Sequence, residues 1–204
     1  MREAQPYLSR HRNESHSFVP KDSALLVIDM QEQFLRKSSP SYLRGGEAIV
    51  DNVAELIEGF RRESLPIIFT RHALAKGESS GAMGRWWRDM IRDGDPMAEI
   101  VPRLKPLAGD KVIRKSSYSA FVGTSLDRIL KKREVSQLVV TGVMTHLCCD
   151  TTSRDAFMRG YDVFFAVDGT ASRNEDLHLS SIKALADGFA VPVTTKEVLR
   201  WLRE

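Results

Sequence analysis

Short apolar runs alternate with longer amphipathic stretches along most of this chain. The first run, at residues 24–28, is continuously apolar, which is typical of a parallel strand buried on both faces. Similar runs predict six strands, at residues 24–28, 66–70, 111–114, 137–141, 161–167 and 190–193. Apolar stripes at helical spacing predict the intervening helices, at residues 47–62, 123–133, 145–159, 174–187 and 195–202.

The order of these elements defines the fold class. Strands that alternate with helices favour a parallel sheet with right-handed crossovers and helices on both faces. We therefore predict an α/β fold, a Rossmann-like three-layer α/β/α arrangement with a six-stranded parallel sheet. Residues 22–204 are assigned to this domain. Residues 1–21 lack periodicity and are predicted to be an N-terminal extension, either mobile or laid over a neighbouring subunit.

Composition and charge narrow the function classes. The 204 residues are 42% hydrophobic and 28% charged, as in an ordinary globular protein. The net charge of +3, with scattered basic residues, argues against a nucleic-acid partner. No apolar run approaches the roughly 18 residues of a membrane helix, and the polar start of the chain is unlike a secretory signal. The two cysteines are adjacent and rarely form a structural disulfide in that arrangement, so we expect a reducing, cytoplasmic location.

Three predicted strand ends carry reactive side chains. Asp29 follows the first strand, Lys115 follows the third, and Cys148 lies in the first turn of the helix after the fourth. Because the carboxyl ends of parallel strands meet at one edge of a sheet, these side chains are expected to converge. A carboxylate, a cation and a thiol supply a base, an electrostatic stabiliser and a nucleophile. The field at the helix amino terminus is expected to favour the thiolate of the cysteine.

Each of these residues also has a purely structural interpretation. Asp29 is suited to cap a helix over 31–35, Lys115 to face solvent, and Cys148 to be a small buried apolar residue. A binding module that kept the fold would have one of the three displaced from the pocket. Two other enzyme classes are disfavoured, because no G-x-G-x-x-G follows a strand and no G-x-S-x-G elbow is present.

Several segments resemble the motifs of the isochorismatase-like hydrolase superfamily, which includes N-carbamoylsarcosine amidases, nicotinamidases and isochorismatases. The resemblance covers about residues 22–200 and favours the cysteine hydrolase branch. The segments that carry it are Leu25-Leu26-Val27-Ile28-Asp29-Met30-Gln31-Glu32-Gln33-Phe34, Lys115-Ser116-Ser117-Tyr118-Ser119-Ala120-Phe121, Gly142-Val143-Met144-Thr145-His146-Leu147-Cys148, and residues 155–157, 167–172 and 193–199.

The resemblance implies a catalytic triad of Asp29, Lys115 and Cys148. In the cysteine hydrolases of this superfamily the thiolate attacks an amide or ureido carbonyl and forms a covalent thioester. Asp29 would carry the thiol proton to the leaving nitrogen and then activate water, while Lys115 would keep Asp29 ionised and lower the pKa of the thiol. The resemblance also implies a cis peptide at Met144–Thr145, an oxyanion hole formed by the amides of Thr145 and Cys148, and a homodimer or homotetramer.

Isochorismatases offer an alternative chemistry. There the aspartate, here Asp29, protonates a vinyl ether as a general acid, and pyruvate leaves without a covalent intermediate. This chain is similar to them at 118–121, at His146 and near Trp86. A cysteine at the nucleophile position is needed only for amide hydrolysis, so Cys148 favours the amide reaction.

Nicotinamidases of the superfamily bind a metal through an Asp-x-His pair and a further histidine. Residues 70–72 here read Thr-Arg-His, with no aspartate, and the other histidines show no ligand spacing. We therefore predict no metal and no cofactor, which makes a nicotinamidase less favoured.

The remaining candidates are pocket residues that would contact a small-molecule substrate. They are Phe34, His72, Trp86 or its neighbour Trp87, Tyr118 and His146. Core packing is the alternative for Phe34 and Tyr118, and capping of its helix is the alternative for His146. Residues 73–100 form a long excursion of the kind that is usually functional. Cys149 is expected to point into the core.

Overall fold

The computed structural model describes residues 17–88 and 90–204. Its described part contains one six-stranded, all-parallel sheet of order β3-β2-β1-β4-β5-β6. The strands are β1 Ser23–Ile28, β2 Ile67–His72, β3 Lys111–Lys115, β4 Gln137–Val143, β5 Asp162–Ala171 and β6 Val191–Val193. The strand order reverses direction between β1 and β4, and α/β proteins bind ligands in the crevice that such a reversal creates.

Helices cover both faces of the sheet, which confirms the predicted three-layer α/β/α fold. In the described residues they are α1 Glu32–Leu35, α2 Arg44–Ala48, α3 Val50–Arg62, α4 Gly81–Trp87, α5 Leu126–Lys132, α6 Asp150–Met158, α7 Glu175–Gly188 and α8 Thr195–Trp201. Helices α3 and α8 contribute to the core on one face, and α5, α6 and α7 to the core on the other.

The central strand β1 explains why its sequence is continuously apolar. Leu25 and Val27 pack into the core beneath α3 and α8, whereas Leu26 and Ile28 pack into the core beneath α5, α6 and α7. All four side chains are inaccessible to solvent. Since successive residues of a strand point to opposite faces, both faces of β1 must be apolar.

Three of the differences from the predicted elements change how the chain approaches the site. The predicted helix 47–62 is two helices, α2 and α3, which meet at Ile49. Strand β5 continues to Ala171, because Thr170 and Ala171 pair again with β4 after a register shift. The predicted helix 145–159 begins as a separate π-helical turn, Thr145–Cys149, before α6. This segment is called the cysteine turn below.

Most of the predicted N-terminal extension lies outside the described residues. From residue 17 the chain is described, and Phe18 packs edge-on against Phe164, with ring centroids 5.1 Å apart. Its ring also lies 5.6 Å from that of Trp201. The assignment of residues 1–21 to an extension stays a prediction. Among the described segments, no helix is long and apolar enough to cross a membrane.

Candidate active site

Asp29 is held rigidly at the end of β1. The backbone turns there through the left-handed region, with φ at +50°. The amide of Asp29 donates to Thr70 Oγ1 at 3.1 Å, and the Thr70 hydroxyl donates to Asp29 Oδ1 at 2.6 Å. Both residues are completely buried. The structure thus excludes the helix-cap interpretation, because the short helix α1 begins after Gln31 and receives no side-chain cap.

Lys115 is the last residue of β3, and its ammonium group meets the other two candidates. Its Nζ lies 2.7 Å from Asp29 Oδ2 and 3.3 Å from Cys148 Sγ. Its Nζ also donates a hydrogen bond of 2.9 Å to the carbonyl of Ser117. An ammonium carries three protons and no lone pair, so two hydrogen bonds and one ion pair hold the charged form in place. Lys115 therefore serves as a fixed buried cation rather than as a base.

Cys148 reaches this group because β4 lies unusually close to β1 at its end. Gly142 has φ at +111°, and a Cβ there would lie 2.0 Å from the carbonyl oxygen of Ile28. Only glycine fits that contact. The chain then enters the cysteine turn, in which Cys148 is buried but lines a cavity.

The cis peptide lies one residue earlier than predicted. It joins Val143 to Met144 rather than Met144 to Thr145. Met144 then has an extended backbone, and Thr145 is already the first residue of the cysteine turn. The motif identified the segment but not the bond within it.

The ionisation of the thiol differs from the expectation. Burial raises the pKa of Cys148 to about 12, and the adjacent Lys115 cation only partly opposes that effect. The carboxylate of Asp29 raises the pKa further. Burial also disfavours the charged form of Lys115, but Asp29 and Cys148 outweigh it and raise the pKa of the lysine. The resting site therefore holds a thiol beside a permanent cation, so the thiol needs a base.

The sulfur faces a cavity of about 330 Å³ between the sheet edge and α4. Three predicted contacts line it with Cys148: Phe34, His72 and Tyr118. The other lining residues are Gln33, Pro40, Ser41, Met83, Trp87, Met90, Ile91, Met144, Leu147 and Arg173. A mostly apolar cavity with a few polar groups is typical of a small-molecule site.

Two of the predicted contacts, Trp86 and His146, are not among the residues that line this cavity. Trp86 is 78% exposed, and Trp87, the other tryptophan of the predicted pair, lines the cavity. The two tryptophans are consecutive on α4, so they lie on different sides of the helix. The Nδ1 atom of His146 lies 2.7 Å from Ser172 Oγ.

His72 is a neutral group at the base of the cavity. Burial, aided by the charge of Lys115, lowers its pKa to about 4. Gln31 fixes the backbone of His72 on both sides, since its Oε1 accepts from the His72 amide at 2.7 Å and its Nε2 donates to the His72 carbonyl at 3.1 Å. Neither Gln31 nor Thr70 was predicted from the sequence as a site residue. The available signals were that Gln31 lies two residues after Asp29 and that Thr70 ends the predicted strand 66–70.

Arg173 is a further cavity residue that was not predicted from the sequence. Its guanidinium stacks over the ring of Trp87 at 4.8 Å, and the Trp87 indole donates to the Tyr118 hydroxyl at 2.5 Å. Among the cavity-lining residues that the structure describes, Arg173 is the one with a permanent charge. Its position shortly after the end of β5 was the available signal.

Three residues of the cysteine turn, Cys148 included, complete the comparison with the prediction. Cys149 is completely buried in the core, as predicted. Thr145 and Cys148 both lie in the cysteine turn, and their role as amide donors stays a prediction. In the described ranges no three His, Cys, Asp or Glu side chains cluster so as to hold a metal ion.

Comparison with known proteins identifies the family of this chain. The isochorismatase domain family matches residues 23–197. The chain therefore belongs to the isochorismatase family of hydrolases. It is 41% identical over 185 residues to a protein named Nicotinamidase 3 from Arabidopsis thaliana, covering 89% of each chain.

Solved structures of hydrolases share the fold of this chain. A cysteine hydrolase from Pseudomonas syringae pv. phaseolicola superposes with a TM-score of 0.88 and 28% identity, covering 91% of this chain and 94% of the other. N-carbamoylsarcosine amidase from Thermoplasma acidophilum has a TM-score of 0.76 and 26% identity, covering 85% and 96%.

Proposed function

We propose that this protein is an amidohydrolase-type enzyme that cleaves a small amide or ureido C–N bond through a thioester on Cys148. The observation that carries the proposal is the contact of one buried ammonium, that of Lys115, with both Asp29 and Cys148. A buried ion pair is costly unless each charge has partners. A binding module would gain nothing from adding a cavity-facing thiol to such a pair.

The first half of the reaction forms the thioester. Asp29 takes the proton of the Cys148 thiol as the sulfur attacks the carbonyl carbon, and Lys115 stabilises the negative charge that develops on sulfur. The carbonyl oxygen becomes an oxyanion, to which the amides of Thr145 and Cys148 are proposed to donate. The C–N bond then breaks, and Asp29 returns the proton to the leaving nitrogen.

The second half releases the product. Asp29, again a carboxylate, takes a proton from a water molecule that attacks the thioester carbon. The C–S bond breaks, the sulfur recovers a proton from Asp29, and a carboxylic or carbamic acid leaves. One water is consumed and one amine or ammonia is formed. Lys115 keeps its proton throughout, since two hydrogen bonds and the ion pair with Asp29 favour its charged form.

The lining of the cavity favours a small substrate with one acidic group. A volume of about 330 Å³ admits a compact molecule. The Arg173 guanidinium at its wall would pair with a carboxylate, and the aromatic rings of Phe34 and Tyr118 would contact an apolar or planar portion. His72, neutral at physiological pH, would serve as a hydrogen-bonding group rather than as a charge. The Arabidopsis relative adds nicotinamide, a neutral amide, to the candidates.

Vinyl ether hydrolysis is the second candidate. In that reaction a protonated Asp29 would transfer its proton to a substrate carbon without help from sulfur. The match to the isochorismatase domain family supports considering this chemistry. Vinyl ether hydrolysis, however, assigns no role to the 3.3 Å contact between Lys115 and Cys148.

Two variants separate the two reactions. Purified protein is assayed with a panel of small amides and ureides for ammonia or amine release, and with isochorismate for pyruvate release. We expect amide turnover that both Cys148→Ala and Asp29→Asn abolish, while Cys149→Ala stays active as the matched control. Pyruvate release that survives Cys148→Ala but not Asp29→Asn would replace the amide proposal by the vinyl ether one.

A further inference from the structure

Helix α7 supports the cysteine turn from behind. Thr145, the first residue of the turn, is completely buried, and its hydroxyl lies 2.8 Å from Nδ1 of His178 on α7. A buried hydroxyl needs a hydrogen-bond partner, because leaving it unsatisfied is destabilising. The orientation of the Thr145 side chain therefore depends on the imidazole.

The imidazole also contacts strand β5. Burial lowers the pKa of His178, whereas a hydrogen bond with the backbone of Val167 in β5 raises it. A neutral imidazole has one donor and one acceptor nitrogen, so a ring that donates to Val167 can accept the proton of the Thr145 hydroxyl at Nδ1. His178 thus connects strand β5 to the cysteine turn.

A second residue of α7 reaches the far end of the turn. Ser181 Oγ lies 2.5 Å from Asp150 Oδ2 and 3.3 Å from the Thr145 carbonyl oxygen. Its single proton goes to the carboxylate, which is the stronger acceptor. His178 and Ser181 are three residues apart on one face of α7, so the same helix face meets both ends of the turn that contains Cys148.

We propose that His178 is a positioning residue, which through the Thr145 hydroxyl holds the cysteine turn in the geometry that the reaction needs. Thr145 both contacts His178 through its hydroxyl and carries one of the proposed oxyanion-hole amides. A change in the orientation of this residue would therefore move that amide. A displacement of about 1 Å in a reacting geometry can cost up to about 10²-fold in rate. The catalytic consequence rests on the proposed amidase function.

The test compares side chains that keep or lose the acceptor. His178→Leu removes it, whereas His178→Asn retains a polar atom near the position of Nδ1, and Thr145→Val removes the hydroxyl. We expect His178→Leu to lower kcat about tenfold with KM changed less than twofold, and His178→Asn to recover most of the loss. The kcat of the double variant His178→Leu/Thr145→Val should be no lower than that of the slower of its two single variants, as expected of coupled residues. Leu177→Ala, an exposed neighbour on α7, is the control.

Hydrogen exchange of the peptide 145–150 supplies a readout that needs no substrate. We expect faster exchange in His178→Leu and wild-type exchange in His178→Asn. If His178→Leu loses stability but keeps full kcat, the residue is merely structural and the proposal is overturned. If the wild-type protein hydrolyses no amide, the proposed function fails, and the positioning role of His178 is then judged from the hydrogen-exchange data alone. Unchanged exchange in His178→Leu then overturns the positioning role, and faster exchange supports it.

Discussion

The ammonium of Lys115 lies 3.3 Å from the sulfur of Cys148, and both groups are shielded from bulk water. This contact decides how the thiol can be activated. Lys115 favours the thiolate, but burial favours the thiol more strongly, so the cation cannot ionise the sulfur by itself. In the proposed reaction, the carboxylate of Asp29, which shares the same ammonium, therefore takes the thiol proton.

The first prediction concerns the reactivity of the thiol. Because burial raises the pKa of Cys148 to about 12, alkylation by iodoacetamide should accelerate with every step in pH from 6 to 9, about tenfold per unit and without a plateau. The measurement is the labelling rate of the peptide containing Cys148. A rate that levels off near pH 7 would show a thiolate in the resting enzyme and contradict this account.

The second prediction concerns the buried ion pair. Lys115→Met leaves the Asp29 carboxylate buried without its cation, so the free energy of unfolding should fall by about 3–5 kcal/mol. Adding Asp29→Asn removes the uncompensated charge and should restore part of that stability, although neither variant should be active. Urea denaturation of the single and double variants measures both effects. A double variant less stable than Lys115→Met would argue against a charge-based coupling.

The third prediction concerns acid stability through His72. Its folded pKa is about 4 and lies below the ordinary value near 6.5, so between these values the unfolded chain binds more protons than the folded one. Stability is complete above pH 6.5 and falls as the pH drops to 4, by about 3 kcal/mol from this group. His72→Gln should show a shallower fall over that window in urea denaturation. Parallel curves for both proteins would remove His72 as the cause.

The fourth prediction concerns substrate charge. If Arg173 pairs with a carboxylate, Arg173→Met should raise KM for carboxylate-bearing amides about tenfold or more, since hydrogen bonds to charged groups contribute about 1.5–3 kcal/mol. Neutral amides such as nicotinamide should be affected less than twofold. Arg36→Met serves as the control, because Arg36 pairs with Glu32 rather than facing the cavity. An equal effect on both substrate classes would assign Arg173 a packing role against Trp87.

The sequence was sufficient for the parts of the molecule that follow from periodicity. The apolar run of β1 predicted a strand buried on both faces, and parallel strand ends predicted that Asp29, Lys115 and Cys148 would share one edge. Both follow from rules that act between neighbouring elements.

The remaining features depend on the depth of burial and on loop conformation, which a linear pattern does not encode. The pKa of Cys148 was misjudged because desolvation depends on how completely the site is enclosed. The sequence left Trp86 and Trp87 as alternatives because the pattern of the 73–100 excursion did not fix which side of α4 faces the cavity. The link between His178 and Thr145 joins residues 33 positions apart, without any motif of its own.

Intact-protein mass spectrometry after a rapid acid quench tests the central claim most directly. A slowly hydrolysed amide from the panel is mixed with the wild-type protein, and the mass is read during turnover. The account predicts a mass increase equal to the acyl or carbamoyl group, located by proteolysis on the sulfur of Cys148 and missing in Cys148→Ala. Steady turnover with no adduct, together with an active Cys148→Ala protein, would contradict it.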